Sequence, residues 1–392
     1  MEGFLNKKET QTVAVCDVDT TRRENARRIV DEFYARKSSG SYKGCGTHTD
    51  FRDLLARKDI DAVVIATPDH WHALIGIAAS RAGKDIYCEK PLTESIHQAR
   101  ALIKAVRENK RVFQTGSMQR SSREFRTACE LAVNGRIGKI NRVEVYVGGP
   151  GVPCDLPGEP EEPGLDWNMW LGPAPLRPYH SELSPRGVHK HFPNWRNYRE
   201  YGGGMVTDWG AHHFDIAQWG LGMDTSGPSE IFPADHPNPH SGVHYSYANG
   251  IEVFHSPKEH DPKAGDGVWF YGSEGKIHVN RGKFEFWLGS EQKADSQAQC
   301  DAMAAEYLAG DAKRLYKSDD HKGDWLGCIR SRKKPICDVE IGAHTVIVCH
   351  LVNLAYYHGQ KMKWDAANFQ FQDGTGDQTW LDVSYREPWK LA

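Results

Sequence analysis

Residues 10–21 read TQTVAVCDVDTT, and this stretch decides the fold of the N-terminal part of the chain. Its run of small and β-branched residues is typical of a buried strand, and the two aspartates mark the turn that follows. A helical pattern comes next, RRENARRIVDEFYARK at 22–37. A strand that leads directly into an amphipathic helix is the first half of a β-α-β unit.

The same alternation continues to residue 120. We expect buried strands at 61–68 (DAVVIATP), 85–91 (DIYCEKP) and 111–117 (RVFQTGS), and helices at 51–59, 70–81 and 95–108. This rhythm predicts a parallel sheet with helices on both faces. Ligands of such sheets bind at the carboxyl ends of the strands. Three of those ends are chemically unusual here: CDVD, ATPDHWH and CEKP.

From residue 121 the pattern changes. A helix at 122–135 leads into the alternating strand KINRVEVYVGG and a loop rich in Pro and Gly, then into a helix around TDWGAHHFDIAQWGLG at 207–222. Further alternating strands and a last long helix at 346–359 follow. We therefore predict two domains, an α/β domain at 1–120 and an α+β domain with a large, mostly antiparallel sheet at 121–392.

Composition narrows the class of protein. The chain has 392 residues and a formal charge of -3, without a run of basic residues interleaved with aromatics, so no nucleic-acid partner is expected. No apolar stretch approaches the roughly 18 residues that span a bilayer, so no membrane partner is expected either. The start, MEGFLNKKETQ, lacks an export signal, which predicts a cytoplasmic protein.

The nine cysteines include no CxxC pair and have an odd total. This pattern favours reduced, buried thiols over a disulfide framework or a zinc site. We predict no metal.

Asp17 ends the first visible strand. An acid in this place can accept hydrogen bonds from the ribose hydroxyls of a dinucleotide and repel a 2'-phosphate, which favours NAD over NADP. It can equally serve as a turn or helix-cap residue. The two interpretations are equally good for Asp17 taken alone.

The phosphate-binding GxGxxG loop, which belongs about 20 residues before a ribose acid, is missing. MEGFLNKKETQ has the pattern of the second half of the first helix and its exit turn, with no strand before it. Gly40, Gly44 and Gly46 follow the first visible helix and therefore do not replace the loop. We expect Met1 to be an internal residue of a longer protein, in which case an upstream export signal would make the protein periplasmic.

Two strand ends carry candidate cofactor ligands. ATPDHWH combines a strand end with a His-rich helix start, although Asp69 can equally cap that helix. In CEKP, Lys90 places an ammonium at the mouth of the sheet, where it can contact a ribose hydroxyl and a substrate oxygen together. Most lysines are instead solvated surface charges.

GGGMVTDWGAHHFDIAQW at 202–219 carries an acid-base candidate. Asp208 and His212 are four residues apart, so on one helix they share a face. A carboxylate beside an imidazole holds its tautomer and raises its basicity, which suits proton transfer near neutral pH. His213 with Asp215 is a competing pair, and an acid and an imidazole that satisfy each other inside the core are the structural alternative.

CEKP, the DxGxH pattern of Asp208, Gly210 and His212, and ATPDHWH together resemble the Gfo/Idh/MocA family of NAD(P)-dependent sugar and polyol oxidoreductases. The resemblance covers nearly the whole chain and implies a Rossmann-type sheet, here without its first strand and glycine loop. It implies that Lys90 contacts the nicotinamide ribose and the substrate, with His212 as acid/base and Asp208 as its partner. The cofactor contacts expected with Lys90 are Asp17, Thr67, Pro68, His70, His72, Glu89 and Gln119.

The substrate expected from the resemblance is a sugar, sugar derivative or cyclitol, and the assembly a homodimer or homotetramer. Two alternatives stay open: a glycoside-cleaving enzyme that recycles its NAD, and a non-catalytic homologue that has lost cofactor binding. Residues with the right chemistry for a saccharide serve equally well as packing or surface residues; they are Arg120, Trp170, Tyr179, Trp195, Arg196 and His213.

Overall fold

The computed structural model describes residues 2–37, 42, 44–236, 240–256 and 266–391, so Gly40 lies outside the described residues. Its strands are β1 (Ala14–Cys16), β2 (Gly46–His48), β3 (Ala62–Ile65), β4 (Asp85–Cys88), β5 (Phe113–Thr115), β6 (Ile140–Tyr146), β7 (Glu230–Phe232), β8 (His244–Ser246), β9 (Glu252–His255), β10 (Gly267–Gly272), β11 (Gly275–Asn280), β12 (Lys283–Leu288), β13 (Glu291–Ala294), β14 (Met362–Asp365) and β15 (Gln370–Phe371). Its α-helices are α1 (Glu2–Leu5), α2 (Thr20–Ala35), α3 (Phe51–Leu55), α4 (Asp69–Arg81), α5 (Ile96–Glu108), α6 (Arg123–Val133), α7 (Trp167–Leu171), α8 (Met205–Asp208), α9 (Gly210–Leu221), α10 (Cys300–Tyr307), α11 (His321–Ser331) and α12 (Val339–His358).

The N-terminal parallel sheet is split in two. β1 pairs with β2, while β3, β4 and β5 form a separate sheet, and every pairing is parallel. In a dinucleotide-binding sheet of order 3-2-1-4-5-6, the first strand lies between the second and the fourth. The break between β1 and β3 falls at that place, which confirms the prediction of a Rossmann-type sheet without its first strand. Val64 in the middle of β3 is consequently 43 % exposed.

The residues before β1 form the short helix α1 and a turn, as the sequence pattern predicts. The Phe4 ring packs edge-on against Tyr87 and Trp325, with centroids 5.3 and 5.5 Å apart. Leu5 packs with Val30 of α2 in a second apolar cluster. α1 therefore contacts both halves of the split sheet.

Helix caps set most of the helix starts in this domain. The Asp19 carboxylate accepts a hydrogen bond from the Arg22 amide and caps α2, which begins two residues earlier than its apolar pattern predicts. Ser95 caps α5 in the same way through the Gln98 amide. Pro68 occupies the N-cap of α4 and Asp69 is already helical, so the alternative in which Asp69 caps this helix is wrong.

The C-terminal part is built on one ten-stranded sheet of order β13-β12-β11-β10-β6-β9-β8-β7-β14-β15. All its pairings are antiparallel except that of β6 with β9, which confirms the predicted large, mostly antiparallel sheet. α6 and α9 pack against its inner face. The strands β7, β13, β14 and β15 are too short to show an alternating pattern in the sequence.

α12 is a core helix that joins the two halves of the molecule. It begins after the Asp338 N-cap, seven residues before the predicted start, and packs against α5, α9 and β5. It is long and apolar enough to cross a membrane, contrary to the expectation from the sequence, but 72 % of its apolar window is buried inside the fold. Such burial is typical of a globular core helix.

Candidate active site

Four segments from distant parts of the sequence meet at the carboxyl ends of β3, β4 and β5. They are the loop after β4 with Lys90, the 3-10 helix Met118–Ser121 after β5 with Gln119, the junction of α8 and α9 with Asp208 and His212, and the tip of the β11–β12 hairpin with Arg281. This arrangement agrees with the expectation that ligand-binding residues gather at the carboxyl ends of the strands.

An ion pair between Lys90 and Asp208 forms the centre of the site. The Lys90 ammonium donates to the Asp208 Oδ1 and to the Asp208 backbone oxygen, each at 2.8 Å. Both side chains are largely buried, with 16 and 15 % of their surfaces exposed. The Arg196 Nε lies 3.5 Å from the same Oδ1. One carboxylate therefore holds two cations, and the ammonium has a fixed position.

The expected hydrogen bond between Asp208 and His212 is not formed. The predicted single helix breaks at Trp209, so Asp208 ends α8 and His212 lies in the first turn of α9. The Asp208 carboxylate turns to the charged Lys90 and Arg196, because a cation binds a carboxylate more strongly than a neutral imidazole does. The buried His212 Nδ1 has no hydrogen-bond partner among the described residues.

His212 is neutral at neutral pH. Burial lowers its pKa well below the usual value, and the nearby charges of Lys90 and Arg281 lower it further. A neutral imidazole with an unpartnered nitrogen can exchange a proton with a ligand hydroxyl. His213 is also buried and its pKa is lowered to about 3, mainly by burial, while its ring stacks on Trp209 at 5.7 Å.

Asp69 lies beneath the ion pair. It is 3 % exposed, and burial raises the pKa of its carboxyl well above the usual value, with the Asp208 charge as the next cause. Burial therefore favours the protonated form of this carboxyl more than in an exposed aspartate. The cations Lys90 and Arg196 lie at the Asp208 carboxylate, and the Arg281 guanidinium lies close enough to His212 to lower its pKa.

His70 and His72 hold backbone segments together rather than facing open space. The His72 ring nitrogens lie 2.7 Å from the Pro91 oxygen and 2.9 Å from the Thr67 oxygen. The His70 Nε2 lies 3.0 Å from the Trp170 oxygen. Burial lowers the pKa of each histidine to about 4. The His72 contacts join the end of β3 to the loop that carries Lys90, and the His70 contact joins α4 to α7; the cofactor contacts expected of both residues stay predictions.

The residues present fit the nicotinamide end of a dinucleotide. The Thr67 hydroxyl at the end of β3 is buried without a hydrogen-bond partner among the described residues, and the Lys90 ammonium lies at the neighbouring strand end. Glu89 is partly buried there, and burial raises the pKa of its carboxyl. An unpartnered hydroxyl and an ammonium are donors that suit ribose and amide oxygens. Pro68, at the N-cap of α4, lies beside Thr67.

The opposite end of the site is less complete. Asp17 follows β1 at the position of a ribose acid, and its Oδ1 accepts a hydrogen bond from the Asp19 amide at 2.9 Å. Asp17 thus makes the turn contact of one interpretation, and the ribose contact of the other stays a prediction. The phosphate-binding loop of the family would follow the strand that is missing between β1 and β3.

Arg120 is committed to ion pairs in the core. Its Nε lies 2.7 Å from the Asp215 Oδ2, and its Nη2 lies 2.7 Å from the Asp224 Oδ1. Arg120 and Asp215 are 1 and 0 % exposed. A substrate contact would have to replace these buried bonds, so the substrate contact expected from the sequence is not available to Arg120 in this structure.

The aromatic residues predicted to bind substrate pack with one another. Trp170 stacks on Trp167 at 4.6 Å, and Tyr179 is fully buried and donates its hydroxyl to the Ser184 oxygen at 2.7 Å. Trp195 belongs to the same cluster and is 6 % exposed. The structural alternative therefore accounts for these three rings. Among the proposed substrate contacts, the structure brings Arg196 and His213 to the ion pair and its neighbouring helix.

Two residues of the site, Trp209 and Arg281, are not among the residues predicted from the sequence. Trp209 is 38 % exposed at the junction of α8 and α9. The Arg281 guanidinium lies 4.6 Å from the centre of its ring. Arg281 is 72 residues beyond Trp209 in sequence, in a turn that reads NRGK. The strand pairing of the large sheet brings Arg281 to the site, and no local sequence motif predicts that pairing.

Comparison with known proteins assigns both parts of the chain. Residues 2–117 match a family model described as an oxidoreductase family with an NAD-binding Rossmann fold, and residues 152–391 match the C-terminal alpha/beta domain of the same oxidoreductase family, GFO_IDH_MocA. Inositol 2-dehydrogenase of Rhizobium meliloti (strain 1021) is 35 % identical over 127 residues, which are 32 % of this chain and 38 % of that protein. The chain matches less than half the length of its curated relatives.

Solved structures share the fold over most of the chain. A levoglucosan dehydrogenase in complex with NADH and levoglucosan has a TM-score of 0.57 at 17 % identity and covers 90 % of both chains. An aldose-aldose oxidoreductase from Caulobacter crescentus complexed with glycerol has a TM-score of 0.58 at 16 % identity, covering 90 % of this chain and 91 % of that one. At such identities the likeness shows the fold alone.

Proposed function

Because this chain belongs to the Gfo/Idh/MocA oxidoreductase family, we propose that it transfers a hydride between a hydroxyl-bearing carbon of a sugar or cyclitol and the nicotinamide of NAD. The observation that carries the proposal is the fixed Lys90 ammonium, whose charge reaches the His212 imidazole, a neutral ring whose Nδ1 has no hydrogen-bond partner among the described residues. The sugar and cyclitol substrates named for the relatives support the substrate class.

The chain's own groups supply binding and proton transfer. NAD, when bound, supplies the hydride acceptor. Lys90 donates a hydrogen bond to the substrate oxygen and stabilises the negative charge that develops there as the hydride leaves the carbon. The His212 imidazole takes the proton from the same oxygen, so that the hydroxyl becomes a carbonyl. Asp208 acts on Lys90 and holds it in place.

We also propose NAD rather than NADP. The Asp17 carboxylate keeps one oxygen free of the turn contact with the Asp19 amide, and this negative group would repel a 2'-phosphate. Asp17→Asn should therefore reduce the ratio of NAD affinity to NADP affinity. An unchanged ratio of NAD to NADP affinity in this variant would contradict the assignment.

The experiment follows nicotinamide absorbance while the purified chain is offered NAD with inositols and neutral and acidic pyranoses. Lys90→Met should lower kcat by roughly 100-fold or more, the usual effect of losing one donor to a developing oxyanion. Lys104→Met is the matched control, because the Lys104 ammonium is an exposed helix charge 3.8 Å from Glu108. An unchanged rate in Lys90→Met would refute the role of Lys90, and glycoside cleavage without net NADH would favour cofactor recycling instead.

We propose that two copies associate through the outer face of the large sheet, as the resemblance to the family implies. A continuous stack crosses this face: the Lys361 ammonium lies 4.5 Å from the Phe232 ring, His244 stacks between Phe232 and Phe254, and the Arg142 guanidinium lies 4.0 Å from Phe254. Phe254→Asp should shift the sedimentation of the protein from dimer or tetramer to monomer. Sedimentation as a monomer before the substitution would contradict the proposal.

A further inference from the structure

We infer that Arg281 binds an anionic group of the substrate, so that the preferred substrate is a saccharide carrying a carboxylate or phosphate. This inference rests on the proposed function and specifies its substrate class. It assigns a recognition role to the tip of the β11–β12 hairpin, which belongs to the C-terminal sheet and lies outside every motif considered in the sequence.

The hairpin tip is held in one place. Gly282 adopts a φ of +72°, a left-handed conformation that lets the chain turn tightly after Arg281. The Gly282 amide donates to the Glu124 Oε1 of α6 at 3.3 Å, and the Asn280 Oδ1 accepts from the Arg281 amide at 2.7 Å. The backbone that carries Arg281 is therefore fixed relative to α6.

Two contacts aim the guanidinium at the helix that carries His212. Its carbon lies 4.6 Å from the centre of the Trp209 ring. With the Gln119 amide oriented so that both of its ends are satisfied, the Arg281 Nε donates to the Gln119 oxygen at 3.2 Å, and the Gln119 nitrogen donates to the His212 backbone oxygen at 3.0 Å. Gln119 is 2 % exposed and connects the two residues. Arg281 as a whole is exposed to solvent.

Arg281 has no carboxylate within ion-pair distance in the part of the chain that the structure describes. Asp208 is already shared by Lys90 and Arg196. Lys283, two residues from Arg281, does have a partner, since its ammonium lies 3.0 Å from Glu285. The Arg281 guanidinium is therefore not neutralised by a direct ion pair with a described residue. An exposed guanidinium next to a reacting group matches the fork geometry of a carboxylate or phosphate.

The test measures NADH formation with D-glucuronate, D-glucose 6-phosphate and D-glucose. The intact protein should prefer one of the two anionic sugars to D-glucose, and the better one identifies the anion. In Arg281→Gln the ratio of kcat/KM for that sugar to kcat/KM for D-glucose should fall about 30-fold, or about 2 kcal/mol at 1.36 kcal/mol per tenfold. Arg281→Lys should recover part of the preference, and Lys283→Gln should leave the ratio as it is.

An unchanged ratio in Arg281→Gln, or a preference for D-glucose in the intact protein, would overturn the inference. If none of these three sugars yields NADH, calorimetric titration with the same two anions decides the role of Arg281, whereas the proposed function fails only if the inositols and the other pyranoses yield no NADH either. Saturable binding that is lost in Arg281→Gln supports it, whereas no binding, or equal binding by both proteins, refutes it.

Discussion

Replacing Arg120 by Met should destabilise the protein strongly, although Arg120 lies outside the centre of the site. The guanidinium makes two close contacts with the Asp215 carboxylate, at 2.7 and 2.8 Å, and both residues are buried. Removing one member of such a pair leaves an uncompensated buried charge and costs roughly 3–5 kcal/mol. The Thr345 hydroxyl, 2.9 Å from Asp215, compensates only part of that charge.

The expected shift in melting temperature follows from the size of the chain. With 392 residues and about 2.1 cal/mol/K of unfolding entropy per residue, a loss of about 4 kcal/mol lowers Tm by about 5 °C. Arg123→Met is the matched control, because the Arg123–Asp301 pair has a similar 2.7 Å distance but is 40 and 75 % exposed. An exposed pair is worth about 1 kcal/mol or less, so the control should shift Tm by about 1 °C.

Two further measurements identify the buried carboxylate as the cause. The double variant Arg120→Met/Asp215→Leu should recover a large part of the lost stability, because no charge is then left buried. Burial raises the pKa of the Asp215 carboxyl even beside Arg120, and loss of Arg120 raises it further. A carboxyl with a raised pKa favours folding while protonated, so the deficit of Arg120→Met should shrink as the pH falls. A shift of Arg120→Met no larger than the control's would refute this reasoning.

Val64→Ala should lower the free energy of unfolding only slightly, because Val64 lies at the open edge of β3 and is 43 % exposed. Ile65→Ala should lower it by about 3 kcal/mol, measured by urea unfolding, because Ile65 is 3 % exposed. Equal losses in the two variants would contradict an open edge. Acid should also destabilise the fold, because burial lowers the pKa of several histidines to about 4 and unfolding lets them take up protons. These histidines are His70, His72, His255, His321 and His350. Each should lower the free energy of unfolding by up to about 3 kcal/mol as the pH falls from about 6.5 to 4. A free energy of unfolding that stays constant over this pH range would contradict their burial.

The alternation of strands and helices was enough to predict the N-terminal fold. Periods of two and 3.6 residues depend only on which faces are buried, so α4 and α5 were placed to within one residue at their starts.

The partners of charged side chains were less predictable. Spacing alone paired Asp208 with His212. The tertiary fold brings Lys90 to the same carboxylate, and Asp208 pairs with this cation because it binds a carboxylate more strongly than a neutral imidazole does. The predicted contact role of Arg120 likewise gave way to Asp215, which lies 95 residues away in the sequence. Contacts between distant segments leave no local pattern.

The same limit applies to the aromatic residues and to Arg281. A Trp-rich stretch fits a saccharide surface and a packed cluster equally well; Trp170 and Tyr179 lie in a buried aromatic cluster, and a substrate contact by either residue stays a prediction. Arg281 reaches Trp209 through the pairing of β11 with β12 and the order of strands in a ten-stranded sheet. Neither feature can be deduced from the residues around Arg281.

The most direct test of the proposed activity is a titration of the purified 392-residue chain with NADH, followed by nicotinamide fluorescence and by thermal shift. A ligand that binds the folded state raises its stability by mass action. We expect saturable binding, weakened in Lys90→Met and retained in Lys104→Met. A folded sample that binds no NADH would contradict the assignment of this chain as a nicotinamide-dependent oxidoreductase.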